Sequence, residues 1–340
     1  MNMISKISRR DFLKISASGV LGLVLSELGL DHVLAAPPAS QGRITWSGVP
    51  LYDSPSFQAK ELHLFGLDQV VELKAEVEGE AGNPFNQTWY QLDGGYTYSG
   101  WLHPVETKFQ KPVYDIPAGG QLGEIVVPVS ETRLIPFTNG KKGYRLYYGT
   151  THWVTKTIVT RAEKSIWYEI YDSEIQKSFF VPHYNMRLIP NEELTLLSPD
   201  VPESEKLIHV DLSTQLVTAF EGDGMVFSSR CSSGSKGTRT PTGDFLTYHK
   251  GPSVHMNNQD EDVKNHYDLP GVPWCTFFTG YGNAFHGTYW HNDYGRPRSH
   301  GCVNLPSGDA KWIYRWSRPN VPIGEDYLHL PGEGTRVQIV

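Results

Sequence analysis

The chain echoes itself. Thr88-Trp89-Tyr90-Gln91-Leu92 has a counterpart in Ile166-Trp167-Tyr168-Glu169-Ile170, and Val49-Pro50-Leu51-Tyr52-Asp53-Ser54-Pro55 has one in Lys111-Pro112-Val113-Tyr114-Asp115-Ile116-Pro117. Each Trp-Tyr segment is followed by a second aromatic stretch, Tyr96 to Pro104 and Ser178 to Tyr184. A repeat of this period implies two copies of one small unit, the second enlarged by about one hairpin. The copies are expected over 42–110 and 111–197, with the polar stretch 198–205 as a linker to a third part over 206–340.

Composition sets the kind of unit. With 33 Gly, 23 Pro, 9 Trp, 18 Tyr and 14 Phe in 340 residues, short strands and frequent turns are favoured. Tyr90 to Tyr96 reads as a hairpin through Asp93-Gly94. Five or so such strands close most simply as a small β-barrel, because closure removes open edges. A Trp-Tyr strand leading into a Gly-Tyr strand resembles bacterial SH3-like domains. That resemblance implies binding to the cell-wall sacculus; the alternative for the repeats is a spacer. The expected fold class is therefore mainly β: two small SH3-like barrels before a third β domain.

Ser8-Arg9-Arg10-Asp11-Phe12-Leu13-Lys14 has the pattern of a twin-arginine export signal, followed by an apolar run from Ile15 to Leu30 and small residues at Ala35 and Ala36. Ser16, Gly19, Gly22, Ser26 and Glu27 make that run weakly apolar for a spanning helix. Residues 1–36 thus read as a signal peptide, cleaved or kept as an anchor, and the remainder is expected in the periplasm or cell wall. A net charge of -7 without a basic stripe excludes a nucleic-acid binder. The odd set Cys231, Cys275 and Cys302 leaves at least one thiol unpaired or paired between chains, and a Cys231–Cys275 bond stays open at this stage.

From residue 206 the texture alternates. Lys206 to Leu212 and Gln215 to Phe220 read as a hairpin, and Trp274 to Phe278, Asn283 to Gly287 and Thr335 to Val340 as strands. Pro306-Ser307-Gly308-Asp309 opens a helix to about Trp316, with Ser307 as N-cap and Asp309 as a first-turn acid. Gly251 to Pro273 reads as a long irregular loop, a lid or binding loop.

Within this part, Cys302 stands between Gly301 and Val303, with His300 before it and His286 sixteen residues upstream. Four roles compete. A buried structural Cys suits the polar neighbours Ser299, His300 and Asn304 poorly. A metal site from His286, His291, His300 and Cys302 lacks CxxC or HExxH spacing. A disulfide partner would leave the flanking histidines without a use. A nucleophile uses them: imidazole takes the thiol proton, and the His300, Gly301 and Cys302 amides can turn toward one oxyanion.

Phe285-His286-Gly287-Thr288, followed by Ser299-His300-Gly301-Cys302-Val303-Asn304, resembles the catalytic signature of the L,D-transpeptidase (YkuD) family, and Thr240-Pro241-Thr242-Gly243 and Gly334 to Ile339 fit it as well. The resemblance covers 205–340 and implies a β-sandwich catalytic domain with a short helix, acting on peptidoglycan stem peptides without a cofactor or metal. By position, Cys302 is the nucleophile, His286 its base and the Gly287 carbonyl its orienter. His300 and Gly301 support the oxyanion loop, Ser299 buttresses it, and Asn304, Trp290 and Tyr281 contact substrate. His291 and His255 read as ordinary loop histidines. The expected activity is 3→3 cross-linking through a thioester on tetrapeptide stems. Hydrolysis by the same residues would make an L,D-carboxypeptidase, a protein acceptor would make a wall-tethering enzyme, and an inactive domain would leave a wall-binding module. Carbapenem-type β-lactams are expected to acylate Cys302.

Overall fold

In a computed structural model, residues 40–258 and 266–340 are described, and their regular structure is β-strand apart from one α-helix and a few 3-10 turns. The expected export signal, residues 1–36, lies outside the described residues, among which no helix is long and apolar enough to cross a membrane.

The first unit runs through β1 (Gln41–Ile44), β2 (Val49–Tyr52), β3 (Glu61–Phe65), β4 (Val70–Glu72), β5 (Ala75–Asn83), β6 (Asn86–Leu92), β7 (Gly95–Tyr98) and β8 (Leu102–Val105). Strand order is β3-β2-β7-β6-β5 in one sheet and β4-β1-β8 in the other. The β6–β7 hairpin turns at Asp93-Gly94, where Gly94 supplies a left-handed φ of +81°. Tyr52, Trp89 and Tyr98 are buried together in one apolar cluster.

The second unit runs through β9 (Gln121–Ile125), β10 (Val129–Arg133), β11 (Lys142–Tyr147), β12 (Thr151–Thr160), β13 (Ser165–Asp172), β14 (Lys177–Pro182) and β15 (Met186–Leu188). Its pairings repeat those of the first: β10 lies between β11 and β14, β13 between β12 and β14, and β15 beside β9. β12 does the work of β4 and β5 together, bonding β9 over Thr151 to Val154 and β13 from Trp153 to Thr160, with a bulge between Val154 and Lys156. The Trp-Tyr echo therefore marks equivalent strands, β6 and β13. The Tyr-Asp-x-Pro echo does not: β2 corresponds to β10, whereas Lys111 to Pro117 belongs to no strand. Nor is there an inserted hairpin; the extra residues are the connector 106–120, whose prolines suit a chain without ladder bonds.

The third part contains β16 (Lys206–Asp211), β17 (Leu216–Glu221), β18 (Gly224–Arg230), β19 (Gly243–Leu246), β20 (His249–Asn257), β21 (Asp268–Phe277), β22 (Ala284–Gly287), β23 (Val303–Leu305), α1 (Ser307–Trp316), β24 (Leu328–His329) and β25 (Arg336–Ile339). It has two five-stranded sheets, β18-β17-β16-β25-β19 and β23-β22-β21-β20-β24. Ile208, Val217, Phe285, Val303, Ile313 and Trp316 are among the side chains buried in their shared core.

Two expectations are corrected here. Gly251 to Pro273 is not a loop but the greater part of the β20–β21 hairpin, with residues 259–265 outside the described residues. Pro252, Pro270, Gly271 and Pro273 mask its alternation; Gly271 has φ +69°, and a Cβ there would strike the His152 ring at 2.2 Å. Ser307 is the first helical residue; Pro306 occupies the N-cap position without a side-chain bond.

The N-terminal units are not held at a distance. Arg43, 2% exposed, donates to Asp68 Oδ1 at 2.8 Å and to the Tyr289 carbonyl of the third part, and its guanidinium lies 4.2 Å from the Tyr147 ring centre of the second unit. One cation thus touches all three parts. Asp68 keeps Arg145 at 2.6 Å when Arg43 is removed, so what Arg43→Met leaves unmet is the Tyr289 carbonyl. Leaving a buried acceptor without its donor costs about 1–3 kcal/mol. Arg43→Met should lower stability by that amount in urea unfolding, whereas Arg145→Met, at a half-exposed side chain, should cost only about 0–1 kcal/mol.

Candidate active site

β22 and β23 run parallel, with Phe285 opposite Val303 and His286 opposite Asn304. Side chains alternate along a strand. The alternation that sends Phe285, Val303 and Leu305 into the core leaves His286 and Asn304 on the other face, where Cys302 leads into β23.

His286 is buried, and its Nδ1 lies 3.0 Å from the Gly287 carbonyl. A carbonyl only accepts, so the neutral ring carries its proton on Nδ1 and keeps the Nε2 lone pair. Burial pushes the imidazole down to about 4, against a smaller upward pull from the Gly287 bond. The half-buried Trp290 stands beside it, ring centres 5.7 Å apart. Cys302 is half-buried, and its Sγ faces the Gly282 carbonyl at 3.7 Å. Burial pushes this thiol up to about 11. At neutral pH the resting pair is therefore an uncharged thiol and an uncharged imidazole.

The turn before Cys302 is held by one hydroxyl. Ser299 Oγ accepts from the Gly301 amide at 3.0 Å and donates to the Cys302 carbonyl at 2.5 Å. Gly301 has φ +116°, and a Cβ there would come 2.4 Å from Asn283 Nδ2. Because its N–H is committed to Ser299, the amides left to face an oxyanion are those of His300 and Cys302. Thr240, in the Thr-Pro-Thr-Gly segment, braces the turn from behind: its Oγ1 donates to the Gly301 carbonyl and accepts from the Gly234 amide, both at 2.9 Å. Thr238 Oγ1 donates to the Ser299 carbonyl at 3.0 Å.

Around this centre, Tyr281 is 97% exposed on the turn whose Gly282 carbonyl faces the thiol. His300 is exposed and lies against Tyr267, ring centres 5.5 Å apart. Tyr267 comes from the turn end of the β20–β21 hairpin, next to the Asn257–Asp268 pair; no sequence signal singles it out, because its segment reads as loop.

Asn304, expected at the substrate, has a buried side chain 2.9 Å from His291 Nε2. His291 Nδ1 accepts from the Asp293 amide at 3.2 Å, so in the neutral ring the proton sits on Nε2. An Nε2–H cannot accept from an amide NH2, and the Asn304 Oδ1 is otherwise buried without a partner. Both are relieved if the amide is turned so that Oδ1 accepts from His291. His291 is thus a structural link between the 288–302 loop and β23. His255 also has a defined role: Nδ1 meets Asp172 Oδ2 at 2.7 Å and Nε2 meets Asp268, joining the second unit to the β20–β21 hairpin. Burial lowers its pKa, but the two carboxylates more than offset this and hold it above the usual imidazole range. Cys231 and Cys275 are separate free buried thiols, so the disulfide left open by the sequence is not formed.

Residues 205–339 match the family model of the L,D-transpeptidase catalytic domain, YkuD. Among solved structures, the chain is similar to an Enterococcus faecium L,D-transpeptidase in a Cys-to-Ser mutant form, at 22% identity over 40% of this chain and 50% of that one, with a TM-score of 0.32. It is similar to the L,D-transpeptidase from Mycobacterium smegmatis at 18% identity over 56% of this chain and 89% of that one, TM-score 0.34. An L,D-transpeptidase solved in complex with imipenem matches at 15% identity over 70% of this chain and 100% of that one, TM-score 0.34. The similarity thus spans half the length of the Enterococcus chain. No curated protein matches the chain. Residues 205–339, the C-terminal part of this chain, are thus similar to the L,D-transpeptidase (YkuD) catalytic domain.

Proposed function

We propose that the protein is an exported peptidoglycan L,D-transpeptidase that forms 3→3 cross-links through a thioester on Cys302. The observation that supports this best is the neutral imidazole of His286, its Nδ1–H bonded to the Gly287 carbonyl at 3.0 Å and its Nε2 left basic, on the strand beside the one Cys302 leads into.

Nε2 of His286 takes the thiol proton as Sγ attacks the carbonyl between the diamino acid and the terminal D-Ala of a tetrapeptide stem. The carbonyl electron pair moves onto oxygen and is met by the His300 and Cys302 amides. On collapse the C–N bond breaks, and D-Ala leaves with the proton from Nε2. The side-chain amine of a second stem then attacks the thioester and gives its proton to Nε2; the C–S bond breaks, and Sγ leaves with that proton from Nε2, restoring the neutral thiol and imidazole. Water in place of that amine would yield a tripeptide. Because the thiol is protonated at rest, the proton must be moved within the attack, which makes the orientation of His286 part of the chemistry. Trp290 and Tyr281 line the approach to the thiol, and binding of the sacculus by the N-terminal units would bring stems to it.

Incubation with a disaccharide-tetrapeptide should release D-Ala and give a cross-linked dimer, with a thioester visible by intact mass; Cys302→Ala should lose all three. Tripeptide alone would replace the transpeptidase by a carboxypeptidase, and an unreactive wild type would remove the thioester mechanism. Imipenem should add one adduct mass to wild type and none to Cys302→Ala.

The pH dependence has a definite sign. Below about 4 the imidazolium cannot accept the thiol proton; above it the neutral ring can. The acylation rate by imipenem after a pH jump should rise with a midpoint near pH 4 and stay level through neutrality. A midpoint at 6.5 or higher would show that His286 is not the depressed base described here.

A further inference from the structure

Asp293 lies in the loop 288–302 that connects the His286 strand to Cys302, and it is fully buried. Its Oδ2 accepts from Arg298 at 2.7 Å and from Arg296 at 2.5 Å, both on the same loop. Its Oδ1 accepts from two side chains of the first N-terminal unit: Asn83 Nδ2 at 3.0 Å and Tyr98 Oη at 3.0 Å. The approach is close enough that a Cβ on Gly100 would come 2.8 Å from the same oxygen. The main chain of Asp293 points the other way. Its amide donates to His291, whose ring meets Asn304, the register partner of His286; its carbonyl accepts from Ser232 Oγ at 3.0 Å, and Ser232 is bonded through its backbone to Asn304. Asp293 therefore joins the first unit at one end and β23 at the other. At Tyr289 the same loop is held a second time, by Arg43 and by a stacked Tyr147 ring at 5.2 Å.

We propose that the first N-terminal unit is a working part of the catalytic centre, a clamp that sets the Cys302 turn against His286, with Asp293 as the positioning residue through which it acts. A loop of this length has many conformers of its own, and ordering it costs conformational entropy that a separate wall-binding module would not offset. The reading of Cys302 as an L,D-transpeptidase nucleophile underlies this proposal, since the clamp serves that reaction.

The test uses the full chain. Asn83→Asp sets a second carboxylate about 3 Å from Asp293, and Tyr98→Phe removes only the hydroxyl. Steady-state release of D-Ala should show kcat reduced roughly tenfold in Asn83→Asp and about fivefold in Tyr98→Phe, within the usual span of coupling between sites, with KM changed less than twofold. A purely structural role would instead give a lower folded fraction with normal kinetic constants per folded molecule. Wild-type kcat per folded molecule in both variants would overturn the clamp. If wild type neither releases D-Ala nor takes up imipenem, the transpeptidase reading fails. The alkylation rate of Cys302 by iodoacetamide then decides the clamp alone, through the same order of variants or its absence.

Discussion

The parallel pairing of β22 with β23 is the constraint on which the centre depends. Parallel neighbours cannot be joined by a tight turn and need a crossover connection. Here that connection carries no helix or strand; it is the loop 288–302, and it must end with Cys302 in place. Its backbone is tied to the segment after β18, through Gly295 to Cys231 and through Arg298 and Ser299 to Ser233. Its side chains are tied to the two N-terminal units. The crossover is thus held by parts of the molecule that are distant in sequence.

The centre is short of charge. Burial favours the neutral form of His286 and of Cys302 alike, so no stored thiolate–imidazolium pair waits for substrate. On the proposed mechanism, the reactivity of such a thiol comes from geometry: a fixed tautomer, a turn locked by Ser299, and the two amides that Ser299 leaves uncommitted for the incoming carbonyl. This explains why so many groups around Cys302 bond to backbone rather than to the thiol.

The sequence was most legible where chemistry and backbone demands coincide. Gly301 before Cys302, with its left-handed φ, and Gly287 beside His286 are read directly from residue type. The Trp-Tyr repeat correctly pointed to two topologically equivalent β units, and the alternation after Lys206 to the catalytic sheets. What could not be read were long-range contacts and masked alternation. Prolines and glycines in the β20–β21 hairpin hid its period, and with it Tyr267. Asp293 carries no motif; only folding brings Asn83 and Tyr98 to it. His255 and His291 looked like loop histidines because their partners, Asp172 and Asn304, lie elsewhere in the chain. The Gly301 amide was expected in the oxyanion hole, and the nearby hydroxyl that takes it was assigned only a general supporting role.

β25 lies between β16 and β19, parallel to the first and antiparallel to the second, at 336–339. The sheet that begins at residue 206 therefore has a gap in its middle until the chain has been made to 339. Before then, β16 and β19 each show an unpaired edge rich in apolar residues, the kind of surface that recruits other chains. A ribosome stalled or a message truncated a dozen codons short of β25 would leave not a slightly weakened enzyme but two half-sheets with sticky edges.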